Sequence, residues 1–115
     1  MPAWVWASHG PSLSGRRSAL DLIGEAGGRG AELVVVPVER VADAFFSPRT
    51  GMAQEVERSF AGHGMRLAIV GDVSRHMTGS PSLSDFVRER DRGGRLWFAP
   101  TFPALAERLA RGSAP

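Results

Sequence analysis

Four short apolar runs alternate along this chain with four segments whose apolar residues recur at helical spacing. No other feature restricts the fold as much, because strands and helices that alternate in this way build a layered α/β domain. The runs lie at 4–7, 33–38, 67–70 and 96–99. The second run is rich in valine, which is typical of a strand covered on both faces, so we expect it near the centre of the sheet. Because connections of this length join parallel strands, the sequence predicts a four-stranded, mostly parallel sheet with alternating helices.

The segments between and after these runs predict four helices. The first is expected to end at Gly27 and Gly28, since paired glycines stop a helix. The second begins at Ser47 or at Thr50, and both residues can cap a helix start. Apolar side chains that share one face of each helix are expected to point inward. They are Ala19, Leu22, Ile23 and Ala26 in the first helix, Met52, Val56 and Phe60 in the second, Leu83, Phe86 and Val87 in the third, and Leu105 and Leu109 in the fourth.

The length of 115 residues is typical of one domain. We therefore expect a single domain over 1–115, with a frayed tail at 112–115. The chain contains no cysteine, which excludes disulfides, thiolate metal ligands and a cysteine nucleophile. No apolar run approaches the roughly 20 residues that span a bilayer, and residues 1–8 lack the basic start of a signal peptide. These features predict a cytoplasmic protein with no membrane partner.

The positive charge of the chain is small although its isoelectric point is high. All 14 basic residues are arginine, and 12 acidic residues leave a net charge of +2. The very high pKa of arginine raises the isoelectric point without creating a strong field at neutral pH. The basic cluster at 88–95 is interrupted by Glu89 and Asp91, so we interpret it as a solvated helix end. A nucleic-acid partner is therefore not expected.

Several motifs follow one another in the order found in one bacterial family. They are ALDLIGEA at 19–26, VVVPVER at 34–40, RLAIVGD at 66–72 and DFVRE at 85–89. On these motifs the chain resembles the bacterial domain of unknown function 4180 family, from about Gly10 to Leu109. The resemblance implies a shared fold and says little about function.

The chain departs from that family's pattern at several polar positions. An acidic residue is usual where this chain has Ser18, a lysine near Ser59 and an aromatic residue near His63. Members of the family also often begin earlier, which leaves open a shortened or missing first strand in this chain. If those polar positions form a site in other members, this chain is a divergent one.

The segment around Thr50 is similar to the anti-sigma-factor-antagonist (STAS) fold, in which a hydroxyl-bearing helix start after the central strand is the regulatory position. That resemblance implies a STAS-like layered arrangement. The phosphorylated serine of that family would fall at Arg49 or Thr50. Arg49 cannot accept a phosphoryl group, so the resemblance implies that Thr50 alone could be the switch.

A ligand or partner site is expected outside the carboxyl ends of the strands, where loops and helix starts converge in a parallel sheet. The candidates on this rim are Arg49, Thr50, Asp72, Arg75 and His76, with Glu39, Arg40, Ser74 and Thr101 beside them. Asp72 and His76 could act as an acid and an oriented base. In the alternative interpretation, Asp72 caps the following turn and His76 lies on the surface.

No cofactor or metal is expected. The three histidines, His9, His63 and His76, lie in different loops and lack ligand spacing. Glycines at 24–30 follow a helix and precede a strand, which is the reverse of a dinucleotide fingerprint. A Gly-x-Ser-x-Gly motif is also missing from the sequence, so nothing supports a serine hydrolase.

Two function classes follow. The first is a non-enzymatic regulatory or protein-interaction domain that binds a protein partner or a second copy of the chain through Arg49, Thr50 and Arg75. The alternative is a small-molecule or anion-binding protein, or a small enzyme, that uses the strand ends, with Arg49 and Arg75 holding an anion. Trp4 and Trp6 share one face of the first strand and form either an exposed partner surface or a contact under the final helix.

Overall fold

The computed structural model describes residues 3–6, 12–72 and 96–112. Its four strands are β1 (Ala3–Val5), β2 (Leu33–Pro37), β3 (Arg66–Val70) and β4 (Leu96–Ala99). They form one sheet in the order β1-β2-β3-β4, and every neighbouring pair is parallel. The predicted α/β class and the four strands are therefore confirmed, and the described sheet is parallel throughout.

Three helices accompany these strands in the described part of the chain: α1 (Arg16–Gly28), α2 (Met52–Gly62) and α3 (Phe102–Gly112). Of the two starts proposed for the second helix, Thr50 lies nearer to the observed one: α2 begins at Met52 with Gly51 as its N-cap residue, and the Met52 N–H donates to Thr50 Oγ1 at 3.2 Å. The predicted third helix, with Leu83, Phe86 and Val87, lies outside the described residues. Of the predicted tail at 112–115, Gly112 is the last residue of α3, and 113–115 lie outside the described residues.

Alternate residues of the strands point to opposite faces of the sheet, and described helices pack on both faces. On one face, Val34, Val36, Leu67 and Ile69 pack against α1 and α2. On the other face, the strand residues pack against α3 through Leu105. Those strand residues are Leu33, Val35, Ala68, Val70, Trp97 and Ala99. Because every residue of β2 is buried, its continuous apolar sequence matches its position inside the sheet.

The connection from β2 to α2 crosses the carboxyl end of the sheet as three short 3-10 turns, Val38–Arg40, Asp43–Phe46 and Pro48–Thr50. The segment before α1 is tied to this connection by hydrogen bonds. Leu13 N–H donates to the Arg40 carbonyl at 2.6 Å, and Ala42 N–H donates to the Leu13 carbonyl at 3.1 Å. These bonds fix the loops that border the strand ends.

Candidate binding cleft at the strand ends

A cleft of about 570 Å³ opens where the four strands end and α3 begins. Val5, Pro37 and Val70 are the last residues of β1, β2 and β3, and Pro100 directly follows β4. Six more described residues complete its walls. They are Trp6, Glu39, Gly71, Thr101, Phe102 and Pro103. The cleft therefore lies at the edge of the sheet where the parallel topology predicts a site.

Backbone hydrogen bonds carry the sheet ladder one residue past the strands and so hold two walls of the cleft. The Trp6 N–H donates to the Val35 carbonyl at 2.8 Å. The Gly71 N–H donates to the Ala99 carbonyl at 3.0 Å. Trp6 and Gly71 are thus fixed by the sheet itself rather than by a free loop.

Gly71 lets the Val38 side chain lie directly against the backbone after β3, a contact that any other residue at position 71 would prevent. Its φ is +140°, a conformation that side chains disfavour, and a Cβ at this position would overlap the side chain of Val38. The turn after β2 therefore packs directly on the backbone after β3.

The rim of the cleft is largely apolar and partly open to solvent. Val5 is 50% exposed and Phe102 is 48% exposed, which is high for side chains of this kind. The polar lining side chains are Glu39 and Thr101, both exposed. Thr101 Oγ1 accepts the Ala104 N–H at 3.2 Å and so caps the start of α3.

Arg40 lies beside the cleft and is the buried charged side chain of the described residues, at 4% exposure. Its guanidinium carbon lies 3.2 Å from the centroid of the Trp6 ring. Desolvation lowers the pKa of Arg40, and the negative charge of Glu25 acts in the opposite direction. The sequence placed Arg40 on the rim but gave no sign that it is buried, because its burial depends on Trp6 from a distant segment.

The two tryptophans of the first strand form neither an exposed surface nor a contact under the final helix. Trp4 and Trp6 are partly buried against the core that faces α1 and α2. Arg29 lies over the Trp4 ring at 4.8 Å, just as Arg40 covers Trp6. Arginine side chains thus cover both indoles.

The structure describes three of the five predicted site residues. Arg49 and Thr50 are exposed in the last 3-10 turn before α2, and Asp72 is exposed two residues after β3. None of these three belongs to the described lining of the cleft. Arg75 and His76 lie outside the described residues, so the proposed pairing of Asp72 with His76 stays a prediction.

The Thr50 hydroxyl is occupied by local hydrogen bonds. It lies 2.6 Å from the Ala44 carbonyl and 2.9 Å from the Ser47 carbonyl, and it accepts the Met52 N–H. The hydroxyl proton is therefore shared between two carbonyls, while the hydroxyl oxygen accepts the N–H of the first residue of α2. A phosphoryl group on Thr50 would disrupt this arrangement.

The described residues contain no group of three or more His, Asp or Glu side chains that could hold a metal ion. Among the helices described, none is long and apolar enough to cross a membrane.

A family model described as Domain of unknown function (DUF4180) matches residues 2–109. No curated protein and no solved structure matches the chain. The STAS-like arrangement suggested by the segment around Thr50 therefore stays a prediction.

Proposed function

The chain belongs to the DUF4180 family, and we propose that it is a non-enzymatic binding domain that holds a small, mostly apolar molecule in the cleft at its strand ends. One observation carries the proposal: the cleft joins the ends of all four described strands, and its described lining is largely apolar, with Glu39 and Thr101 as polar side chains. Binding sites of α/β proteins occur at this edge of the sheet.

The size and lining of the cleft agree with this ligand class. Pockets for small molecules typically have volumes of about 300–1,000 Å³, apolar walls and a few polar groups that orient the ligand. Here Val5, Trp6 and Phe102 offer apolar contact area. The Glu39 carboxylate can accept a hydrogen bond from a hydroxyl or amine of the ligand. The ligand therefore has an apolar body with a neutral or cationic donor group.

The described lining favours binding over catalysis. Thr101 places a hydroxyl group in the cleft, but the oxygen of that hydroxyl already accepts a hydrogen bond from the Ala104 N–H at the start of α3. The described walls hold Glu39 as their titratable side chain, so no oriented pair of nucleophile and base is available among them.

The proposal also includes a cytoplasmic location and a contact with a protein partner. The lack of cysteine in the sequence supports a cytoplasmic location. The exposure of Arg49 and Thr50 in one turn leaves them accessible to a protein partner or to a second copy of the chain. The ligand-binding proposal does not depend on that contact.

Titration with the neutral dye Nile red tests the proposal. We expect saturable one-to-one binding with a blue-shifted emission. Phe102→Ser and Val5→Ser each remove an exposed apolar wall, so we expect each to weaken binding about tenfold, given the usual free energy of burying such side chains. The matched control is Leu20→Ser, which removes an exposed apolar side chain on α1, away from the cleft.

Circular dichroism of each variant verifies that the fold is retained. The proposal is wrong if folded wild-type protein shows no saturable binding, or if the cleft variants and the Leu20 variant bind the dye equally.

A further inference from the structure

A second concave surface lies between α1 and α2 and has a different chemistry from the cleft. It is a groove of about 530 Å³. Arg16 and Leu20, one turn apart on α1, form one side. The other side comes from α2 and the residue after it, at positions that recur every three or four residues. They are Glu55, Arg58, Ser59, Gly62 and His63.

The groove has an excess of positive charge. Arg16 and Arg58 are both exposed, and neither guanidinium forms an ion pair with a described residue. The acidic side chain in the described lining of the groove is Glu55, whose Oε1 accepts the backbone N–H of Arg16 at 2.8 Å. The carboxylate is therefore engaged with the positive start of α1. With respect to the described part of the chain, both guanidinium groups can therefore bind an anion.

His63 adds an acceptor whose orientation is fixed. Its Nδ1 lies 2.9 Å from the Ser59 carbonyl. A carbonyl oxygen can only accept, so Nδ1 carries the proton of this bond. In the neutral ring, Nε2 is then an acceptor for a hydroxyl of a ligand.

From these features we infer that the groove binds a small organic phosphate monoester. Guanidinium groups match the geometry of phosphate oxygens and bind them with charge-assisted hydrogen bonds. The partly exposed Leu20 and the open space at Gly62 leave room for the organic part of the ligand. This site is independent of the strand-end cleft, because the two share no described residue.

The probe for this site is phenyl phosphate, titrated into isotopically labelled protein and followed by amide chemical shifts. We expect saturable binding, tighter than that of inorganic phosphate or phenol, with shifts concentrated at 16–20 and 55–63. Arg58→Gln is expected to weaken binding about tenfold, as for the loss of one charge-assisted contact. Arg17→Gln is the control, since Arg17 is an exposed neighbour outside the groove.

Gly62 allows a second, steric and electrostatic test. A Cβ at Gly62 meets no atom within 4 Å, so the first atom of a new side chain fits there without a clash. Gly62→Glu places a carboxylate in the groove and is expected to abolish binding, whereas Gly62→Gln should weaken it less. Gly24→Glu is the matched control, because Gly24 is equally open but lies outside the groove.

Three results would overturn the inference. One is no saturable binding of phenyl phosphate by folded wild-type protein below about 10 mM, a weak-affinity limit. The second is equal affinity in the Arg58→Gln, Gly62→Glu and control proteins. The third is a set of shifts confined to 5–6, 37–39, 70–71 and 100–103, which would assign the ligand to the cleft instead. Failure here leaves the Nile red test untouched, since that dye carries no charge.

Discussion

The guanidinium carbon of Arg40 lies 3.2 Å from the centroid of the Trp6 ring. Arg40 follows β2 and Trp6 follows β1, so the contact joins the carboxyl ends of two neighbouring strands. A buried charge is costly unless it is compensated, and the face of an indole offsets part of that cost. Because Trp6 also lines the cleft, its contact with Arg40 helps to hold one wall of the candidate site in place.

Replacement of Arg40 should destabilise the fold in a graded way. Arg40→Ala removes the stacked group and its buried aliphatic stem, and we expect the free energy of unfolding to fall by about 2–3 kcal/mol. Arg40→Lys keeps the charge but loses the planar face, for a loss of about 1 kcal/mol. Urea denaturation followed by tryptophan fluorescence measures both values. Arg29→Lys is the control, since Arg29 covers Trp4 from a solvent-exposed position. An Arg40→Ala protein as stable as the wild type would contradict the stabilising role of the contact.

Gly71→Ala should be more harmful than substitution of another glycine with positive φ. The added methyl group would overlap the Val38 side chain, and the alanine would have to keep a positive φ that side chains disfavour. We therefore expect the free energy of unfolding to fall by about 2–4 kcal/mol. Gly64→Ala is the matched control, because its φ is +65° and its Cβ would meet nothing within 4 Å. Its expected loss is about 1 kcal/mol, from conformation alone. Thermal denaturation compares the two, and equal losses would mean that the approach to Val38 is not tight.

Glu55 should stabilise α1 although it belongs to α2. Its Oε1 accepts the Arg16 N–H at 2.8 Å and places a negative charge at the start of α1. We expect Glu55→Ala to lower the free energy of unfolding by about 1 kcal/mol, as for the loss of a helix cap. Glu107→Ala removes an exposed carboxylate from α3 and serves as the control. Denaturant titrations of the two variants decide the matter, and indistinguishable midpoints would exclude a capping role for Glu55.

Thr50 should be needed for its hydroxyl rather than its methyl group. Thr50→Val removes the bonds to Ala44, Ser47 and Met52, and we expect a loss of about 1–2 kcal/mol. Thr50→Ser retains the hydroxyl and should stay within about 0.5 kcal/mol of the wild type. Hydrogen exchange over 44–52 reports the local opening. Equal exchange in both variants would show that the turn does not depend on this hydroxyl.

The sequence predicted the bounds of β2, β3 and β4 to within about one residue. The runs at 33–38, 67–70 and 96–99 stood out because each is apolar throughout. Such runs are typical of strands inside a parallel sheet, as β2 and β3 are, and β4 shares the pattern although it lies at an edge of the described sheet. The first strand is less well predicted, since β1 has three residues and carries little pattern. The 3-10 turns between 38 and 50 were not predicted, because such short turns lack a helical period.

The position of the candidate site was predictable, but its character was not. The parallel topology predicted a site at the carboxyl ends of the strands. Two residues of the expected rim, Glu39 and Thr101, do line the cleft. The apolar walls were not predicted, because the exposure of Val5 and Phe102 depends on how distant segments pack at the strand ends. The burial of Arg40 was missed for the same reason, since it requires a tertiary contact with Trp6.

The order of the strands in the sheet is the order in which the ribosome makes them. Each new strand after the first can pair with a neighbour that has already been synthesised, so the sheet can grow from one edge during translation. The helix α3, which covers Val35 and Val70 on the second face, is made after all four strands. Among the described elements, α3 is the helix that packs on this face. A nascent chain that ends before Phe102 lacks that helix, so we expect it to aggregate more readily than the full chain.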